Sequence, residues 1–334
     1  MGLVHGDAGA RPLLGVYIGL VEIVCIGEPL VQFNAVTPGP LRNVSLFEKH
    51  VGGPETNVAV CVRKLDHSSG LIGRVGDDEL GHFIAGWLRG IDVDTSYLKI
   101  DPSGPTAICL VQRGYPIPGR SRVYYYRKES AGSKLAPEDV DREFIAGARI
   151  LHLSGVTPAI SQSAMDACLK AVVIARDNDV LVSLDTQIRP QLWASLDDAA
   201  SAIMKFIEFT NILFTDLGDA EVLIGENSPE KVTQVFKSLG VEVVVLRLGE
   251  RGAIAARGSE LAEAEPLPIT AEDPLGASDA LAGTFLSCLV EGRSLFESLR
   301  KSMISWSLVA STRGEQENLP TSRDLDGAFR ALYP

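Results

Sequence analysis

From Ala148 onward, short β-branched runs alternate with helix-length amphipathic stretches. The segments are 149–153, 161–176, 180–184, 196–206, 211–214, 229–239 and 241–246. Strands that read as continuous apolar runs are covered on both faces, which is the situation of a parallel sheet flanked by helices. The alternation therefore predicts a series of βα units and an α/β fold with a mostly parallel central sheet. Residues 22–27 supply an earlier strand of the same kind, and 55–65 and 79–89 supply helices. The end of the chain reads as helical over 280–291, 295–311 and 321–332. With 334 residues and 46% hydrophobic content, there is ample apolar material for a large core.

A second texture interrupts this pattern. Residues 30–35, 41–48, 106–112 and 122–127 are strand-like but are separated by turns rather than helices. This predicts a small antiparallel sheet, built from about 30–48 and 105–128, that projects as a lid. Residues 1–20 read as an N-terminal extension to one domain over 21–334. Arg11 is the only basic residue before the apolar stretch at 12–21, no small-residue cleavage site follows, and Gly6 stands where a myristoylation motif needs Ser or Thr. No apolar run reaches bilayer-spanning length.

The formal charge of −12 argues against a nucleic-acid partner, because phosphate backbones are held by surplus Lys and Arg. An anionic small ligand must instead meet locally placed arginines. The five cysteines are scattered without C-x-x-C spacing, which reads as buried thiols in a reducing cytoplasm rather than a metal site.

The chemistry concentrates in Asp273-Pro-Leu-Gly276-Ala277-Ser278-Asp279, where a small-residue turn leads into an apolar helix. Converging N–H groups and the positive end of a helix make an anion pocket. A carboxylate beside such a pocket repels a statically bound phosphate. It suits phosphoryl transfer, where an Asp orients a hydroxyl and takes its proton. An ordinary Asp N-cap is the competing reading. Upstream lie Gly52-Gly53-Pro-Glu-Thr-Asn57-Val-Ala and Gly73-Arg-Val-Gly76-Asp77-Asp-Glu-Leu-Gly81.

These elements together resemble the ribokinase-like (PfkB) carbohydrate kinases. The N-terminal signature of that family joins G-G-x-x-x-N-x-A to G-x-V-G-x-D-x-x-G, and its C-terminal signature is usually D-T-x-G-A-G-D. Segments such as Gly27-Glu-Pro-Leu-Val-Gln-Phe-Asn34, Tyr125-Tyr-Arg-Lys128 and Ile188-Arg-Pro-x-Leu-Trp193 look most like the archaeal-type 2-keto-3-deoxygluconate kinases. The resemblance implies a ribokinase-like three-layer fold and ATP-dependent phosphorylation of a sugar acid, 2-keto-3-deoxygluconate or its galactonate epimer. It implies Asp279 as base and Gly276, Ala277 and Ser278 as the anion hole. Gly53, Asn57, Cys109, Tyr125, Arg127, Arg189 and Glu315 would meet the acceptor. Gly249, Gly252, Asp216 and Asp219 would meet ATP, with Asp216 and Asp219 tending Mg²⁺ through water. A monovalent cation and a homo-oligomer assembled through the lid are further expectations of the family.

The chain departs from the family pattern at several of these positions. Pro274 and Ser278 replace Thr and Gly of the C-terminal signature, and Asp216-Leu-Gly-Asp219 stands for N-x-x-E. Cys109, Gln187 and Glu315 stand where the subfamily has Tyr, Asn and Asp. Ser278 would cost about 1–2 kcal/mol if its backbone were left-handed. Such changes leave open a kinase for a different sugar, or a weakened or inactive sugar- and nucleotide-binding protein. The D-x-D-x-T string at Asp92–Thr95 fits an aspartyl-phosphate enzyme only if it ends a buried strand, and here it follows a helical stretch.

Overall fold

The computed structural model describes residues 21–117 and 120–333, so the extension read at 1–20 lies outside the described residues. In chain order the strands are β1 (Ile23–Ile26), β2 (Leu30–Ala35), β3 (Phe47–Gly52), β4 (Ser69–Gly76), β5 (Leu98–Asp101), β6 (Ala107–Arg113) and β7 (Ser121–Tyr126). They continue with β8 (Ile150–Ser154), β9 (Leu181–Asp185), β10 (Ile212–Asp216), β11 (Val243–Arg247), β12 (Ala253–Arg257) and β13 (Glu260–Ala264).

Nine strands form one sheet in the order β13-β12-β11-β10-β9-β8-β1-β4-β5. It is parallel from β11 to β5, and only the β11–β12 and β12–β13 pairs at one edge are antiparallel. Its apolar runs divide their side chains between two cores. Ile23, Cys25, Val243 and Val245 join one core with the helices Pro54–Lys64, Ala277–Val290 and Leu295–Ala310. Val24, Ile26, Val244 and Leu246 join the other with the helices Gln162–Asp177 and Leu196–Ile207. This helix–sheet–helix layering is the physical reason those strands carry no polar alternation.

The second sheet has four strands in the order β3-β2-β6-β7. Its hairpin pairs β2–β3 and β6–β7 are antiparallel, and β2 and β6 join them in parallel. The strand expected over 41–48 is displaced. Leu41–Asn43 form a short 3-10 turn, and β3 starts at Phe47 because the β2 register runs from Ala35↔Phe47 to Leu30↔Gly52. Beneath this sheet Leu30, Ala107 and Cys109 cluster with Val123 and Tyr125.

All five cysteines are buried and free. Among the described residues no helix is long and apolar enough to cross a membrane. Asp92 does not end a strand; it has φ 59 just beyond the Glu79–Gly90 helix, so the D-x-D-x-T reading fails.

Candidate active site

Two helices bring the site together. Gly283 of the Ala277–Val290 helix lies against Cys61 of the Pro54–Lys64 helix, so closely that a Cβ added there would stand 2.7 Å from the Cys61 Cβ. This contact holds the N-terminal turns of both helices side by side. Asn57 and Asp279 project from those turns and meet, with Asn57 Nδ2 donating to Asp279 Oδ2 at 2.7 Å.

Gly276 caps the second helix with φ 77 and ψ −15, a left-handed conformation that favours glycine. A side chain there would also strike the backbone and Cβ of Glu315 at 2.7 Å. The cap of this helix is therefore Gly276, and Asp279 is its third residue rather than an N-cap. Ala277 is buried, and its N–H closes the turn onto the Pro274 carbonyl at 3.3 Å. Ser278 is the second helical residue and has no positive φ, so the strain expected of a left-handed serine does not arise. Accordingly Ser278→Gly is expected to leave kcat within about threefold of wild type, since a first-turn glycine changes local stability by only about 0.5–1 kcal/mol. A gain beyond tenfold in steady-state assays would contradict this.

Asp279 is nearly fully buried, and each carboxylate oxygen accepts one amide N–H. Asn57 serves Oδ2, and Gln187 Nε2 serves Oδ1 at 2.7 Å. Each amide also bridges to a further carboxylate. Asn57 Nδ2 donates to Glu315 Oε2, and Gln187 Nε2 donates to Asp185 Oδ2 at 3.1 Å. Burial, then the Glu315 and Asp185 charges, raise the Asp279 pKa to about 8, against the lowering effect of the two amides. Glu315 is also raised, to about 7, chiefly by burial. It accepts from Gln32 Nε2 at 2.8 Å and the Gly53 N–H at 3.4 Å. Near neutral pH this cluster holds protons that exposed carboxyls would have lost.

Two clefts meet at this point. One is lined by Gly53, Cys109, Tyr125, Arg127, Arg189 and Glu315, and reaches Asp279. The other is lined by Asp216, Arg247, Gly249, Gly252, Met303 and Trp306. Pro274 and Ser278 border both. Gly249 and Gly252 also make the turn of the antiparallel β11–β12 hairpin.

Three expected residues have partners that composition did not disclose. Arg127 is buried with Nε and Nη2 on Glu28 Oε2, at 2.7 and 2.5 Å, leaving only part of its guanidinium for a ligand. Asp216 lines the second cleft and also caps the Leu217–Ile224 helix, accepting from the Asp219 N–H at 2.9 Å. Asp219 lies beneath the cleft rather than in its wall, which revises the nucleotide and metal contact expected of it. Its Oδ2 accepts from Thr186 Oγ1 at 2.6 Å and from the Ile188 N–H at 3.1 Å. It thereby grips the turn that carries Gln187, a non-glycine residue at φ 31. Burial and the neighbouring Asp216 charge push its carboxyl up to about 6.

Sequence reasoning missed Glu28, Gln32, Asp185 and Arg247. The signal for the last two was present: Asp185 and Arg247 are charged residues closing buried apolar strands, at the carboxyl edge where ligands of open α/β sheets bind. Arg247 reaches across β10 and forks onto Asp185, both N···O distances being 2.7 Å.

A layered α/β fold with a carboxylate at the meeting of two clefts, beside a helix N-terminus, is an arrangement suited to a small-molecule phosphotransferase. The chain belongs to the pfkB family of carbohydrate kinases, whose model matches residues 21–322, and it is an ATP-dependent sugar kinase. A 2-dehydro-3-deoxygluconokinase from Thermoproteus tenax is 41% identical over 94% of this chain and 95% of its own. A 5-dehydro-2-deoxygluconokinase from Bacillus subtilis is 30% identical over 93% of this chain and 96% of its own. The structure of a putative ribokinase II from E. coli, in complex with ATP and Mg²⁺, shares the fold with a TM-score of 0.86 at 24% identity, covering 93% and 100% of the two chains.

Proposed function

We propose that this kinase transfers the γ-phosphoryl group of ATP to the terminal hydroxyl of a sugar acid, with 2-keto-3-deoxygluconate first among the candidates and its galactonate epimer second. The observation that carries the reading is the buried Asp279 carboxylate where the two clefts join. The acceptor would occupy the cleft with Tyr125, Arg127 and Arg189, and the nucleotide the one with Gly249 and Gly252. Asp279 would orient the acceptor hydroxyl and take its proton. The N–H groups of Gly276 and Ser278 would face the transferred group with the positive end of the helix, while the Ala277 N–H, expected in the same anion hole, is held by the Pro274 carbonyl. Gly53 and Glu315 would hold acceptor hydroxyls, with Cys109 and Tyr125 lining the wall, whereas Asn57, expected at the acceptor, has both amide hydrogens on Asp279 and Glu315 and would act on those carboxylates instead.

Arg189 is exposed at the cleft and donates to Gln187 Oε1 at 3.3 Å, which leaves further donors for a carboxylate. Burial is the largest influence on the Tyr125 phenol and raises it to about 12, so it stays a neutral hydroxyl donor. Among the described residues no group of three His, Cys, Asp or Glu side chains is placed to hold a metal. This suits an Mg²⁺ carried on the phosphates, with Asp216 ordering its water. Mg²⁺ would supply charge neutralisation on the polyphosphate.

The test is ADP release with 2-keto-3-deoxygluconate, its galactonate epimer, 5-dehydro-2-deoxygluconate and matched neutral sugars. Charge-assisted contacts of about 1.5–3 kcal/mol predict that kcat/KM for an acid exceeds that for its neutral counterpart by roughly 10- to 100-fold. Equal rates for both classes would remove the sugar-acid assignment. ADP release with none of the acids would do the same.

A further inference from the structure

The amide of Asn57 can serve Asp279 and Glu315 only if its nitrogen, not its oxygen, faces them. A chain of hydrogen bonds behind Asn57 settles that orientation. Its Oδ1 accepts from Gln316 Nε2 at 2.8 Å, and Gln316 Oε1 in turn accepts from Trp87 Nε1 at 3.0 Å. An indole N–H can only donate. It therefore requires the oxygen of Gln316 on its own side and the nitrogen on the Asn57 side. That nitrogen requires the oxygen of Asn57, which leaves the Asn57 nitrogen for the two carboxylates. Gln316 and Asn57 are both buried, so water does not offer either amide a substitute partner. Trp87 stands at the outer end, 42% exposed, on the Glu79–Gly90 helix.

We infer that Gln316 and Trp87 are positioning residues for phosphoryl transfer, acting through Asn57 to hold an N–H donor on the base Asp279. The inference rests on Asp279 being the base. Nothing in their own placement touches the acceptor or nucleotide clefts. Their neighbours belong to the loop that also sends Glu315 into the site and pairs Glu317 with His50 Nδ1 at 2.5 Å.

Removal of Gln316 frees Asn57 to turn its carbonyl toward a protonated Asp279. The proton-bound form then gains an acceptor that the wild-type chain denies it. Because the deprotonated form is the active one, the acidic limb of kcat/KM against pH must move to higher pH. The experiment compares that limb in wild type, Gln316→Leu, Trp87→Phe and the double variant, using the full chain with ATP, Mg²⁺ and the best acceptor, and with thermal unfolding recorded for each.

The expected limb shift is roughly one pH unit for Gln316→Leu, equivalent to about a tenfold loss of kcat/KM on the acidic side. Trp87→Phe should move the limb in the same direction by less. The double variant should match Gln316→Leu, since both act through one amide. Acceptor KM should stay near wild type. A lowered melting temperature with an unmoved limb in both single variants would overturn the inference, as that is what a merely structural pair would give. If Gln316→Leu fails to fold, Trp87→Phe reads the same limb from the exposed end, and an unmoved limb there overturns it. Asp279→Asn, assayed alongside, separates the two levels: turnover retained in that variant overturns the base assignment itself and the inference with it.

Discussion

Asp279→Asn is expected to lower kcat by about 10²- to 10⁴-fold, the usual contribution of a positioned general base. Acceptor KM should stay within a few-fold of wild type. The substitution keeps the volume of the side chain, removes its capacity to take a proton, and turns one of its two acceptor oxygens into a donor that must face the amide of Asn57 or Gln187. The base is well matched to its task. An unperturbed Asp near 3.9 would be a weak proton acceptor, whereas burial, with the charges of Glu315 and Asp185, brings Asp279 to about 8. The sign follows directly. The deprotonated form is active, so kcat/KM should rise with pH through the neutral range toward that value. It should not plateau above pH 5 as an exposed aspartate would require. Titrating kcat/KM from pH 5.5 to 9 checks the limb, and single-turnover mixing of Asp279→Asn with ATP and acceptor checks the chemical step. Undiminished single turnover in the variant would remove Asp279 from the base role.

Much of this arrangement was legible in the sequence because it rests on local patterns. The apolar strand runs and the small-residue turn leading into an apolar helix are such patterns, and both are present. The N-terminal cap at Gly276 is local in the same sense. What stayed hidden depends on partners far apart in the chain. Arg127 reads as a free ligand for an anion until the fold brings Glu28 onto it, 99 residues away. Asp216 and Asp219 look alike in the string but part company because one faces the cleft and the other the turn at Thr186–Ile188. The strand expected over 41–48 lies instead at Phe47–Gly52 for a related reason. Strand-forming residues such as Val44, Phe47 and Val51 are spread along this stretch, and pairing with β2 decides which six residues are used. Ser278 shows the reverse case, where a departure from the family pattern proves harmless in backbone terms because the left-handed residue is two positions earlier.

Arg247→Met is the substitution with the largest expected effect on stability, about 3–5 kcal/mol by urea unfolding, the range for breaking one side of a buried ion pair. Burial works against the Arg247 charge, but Asp185, with Asp216 and Asp219 behind it, more than offsets this and raises its pKa. Asp185 is fully buried at the end of β9 and receives both prongs of the guanidinium. Methionine fills similar space but leaves that carboxylate without a counter-charge. Against a typical total of about 5–15 kcal/mol, such a loss brings the chain close to unfolding. Adding Asp185→Leu removes the stranded charge, and a volume-matched apolar pair is often neutral or better. Most of the stability should return. Turnover should not, because Asp185 also holds the Gln187 amide that bonds Asp279. Recovery of stability without recovery of kcat would separate the two duties of this pair. Equal stability of the single and double variants would mean that the stranded Asp185 side chain is not the source of the loss, and the ion-pair argument would fall with it.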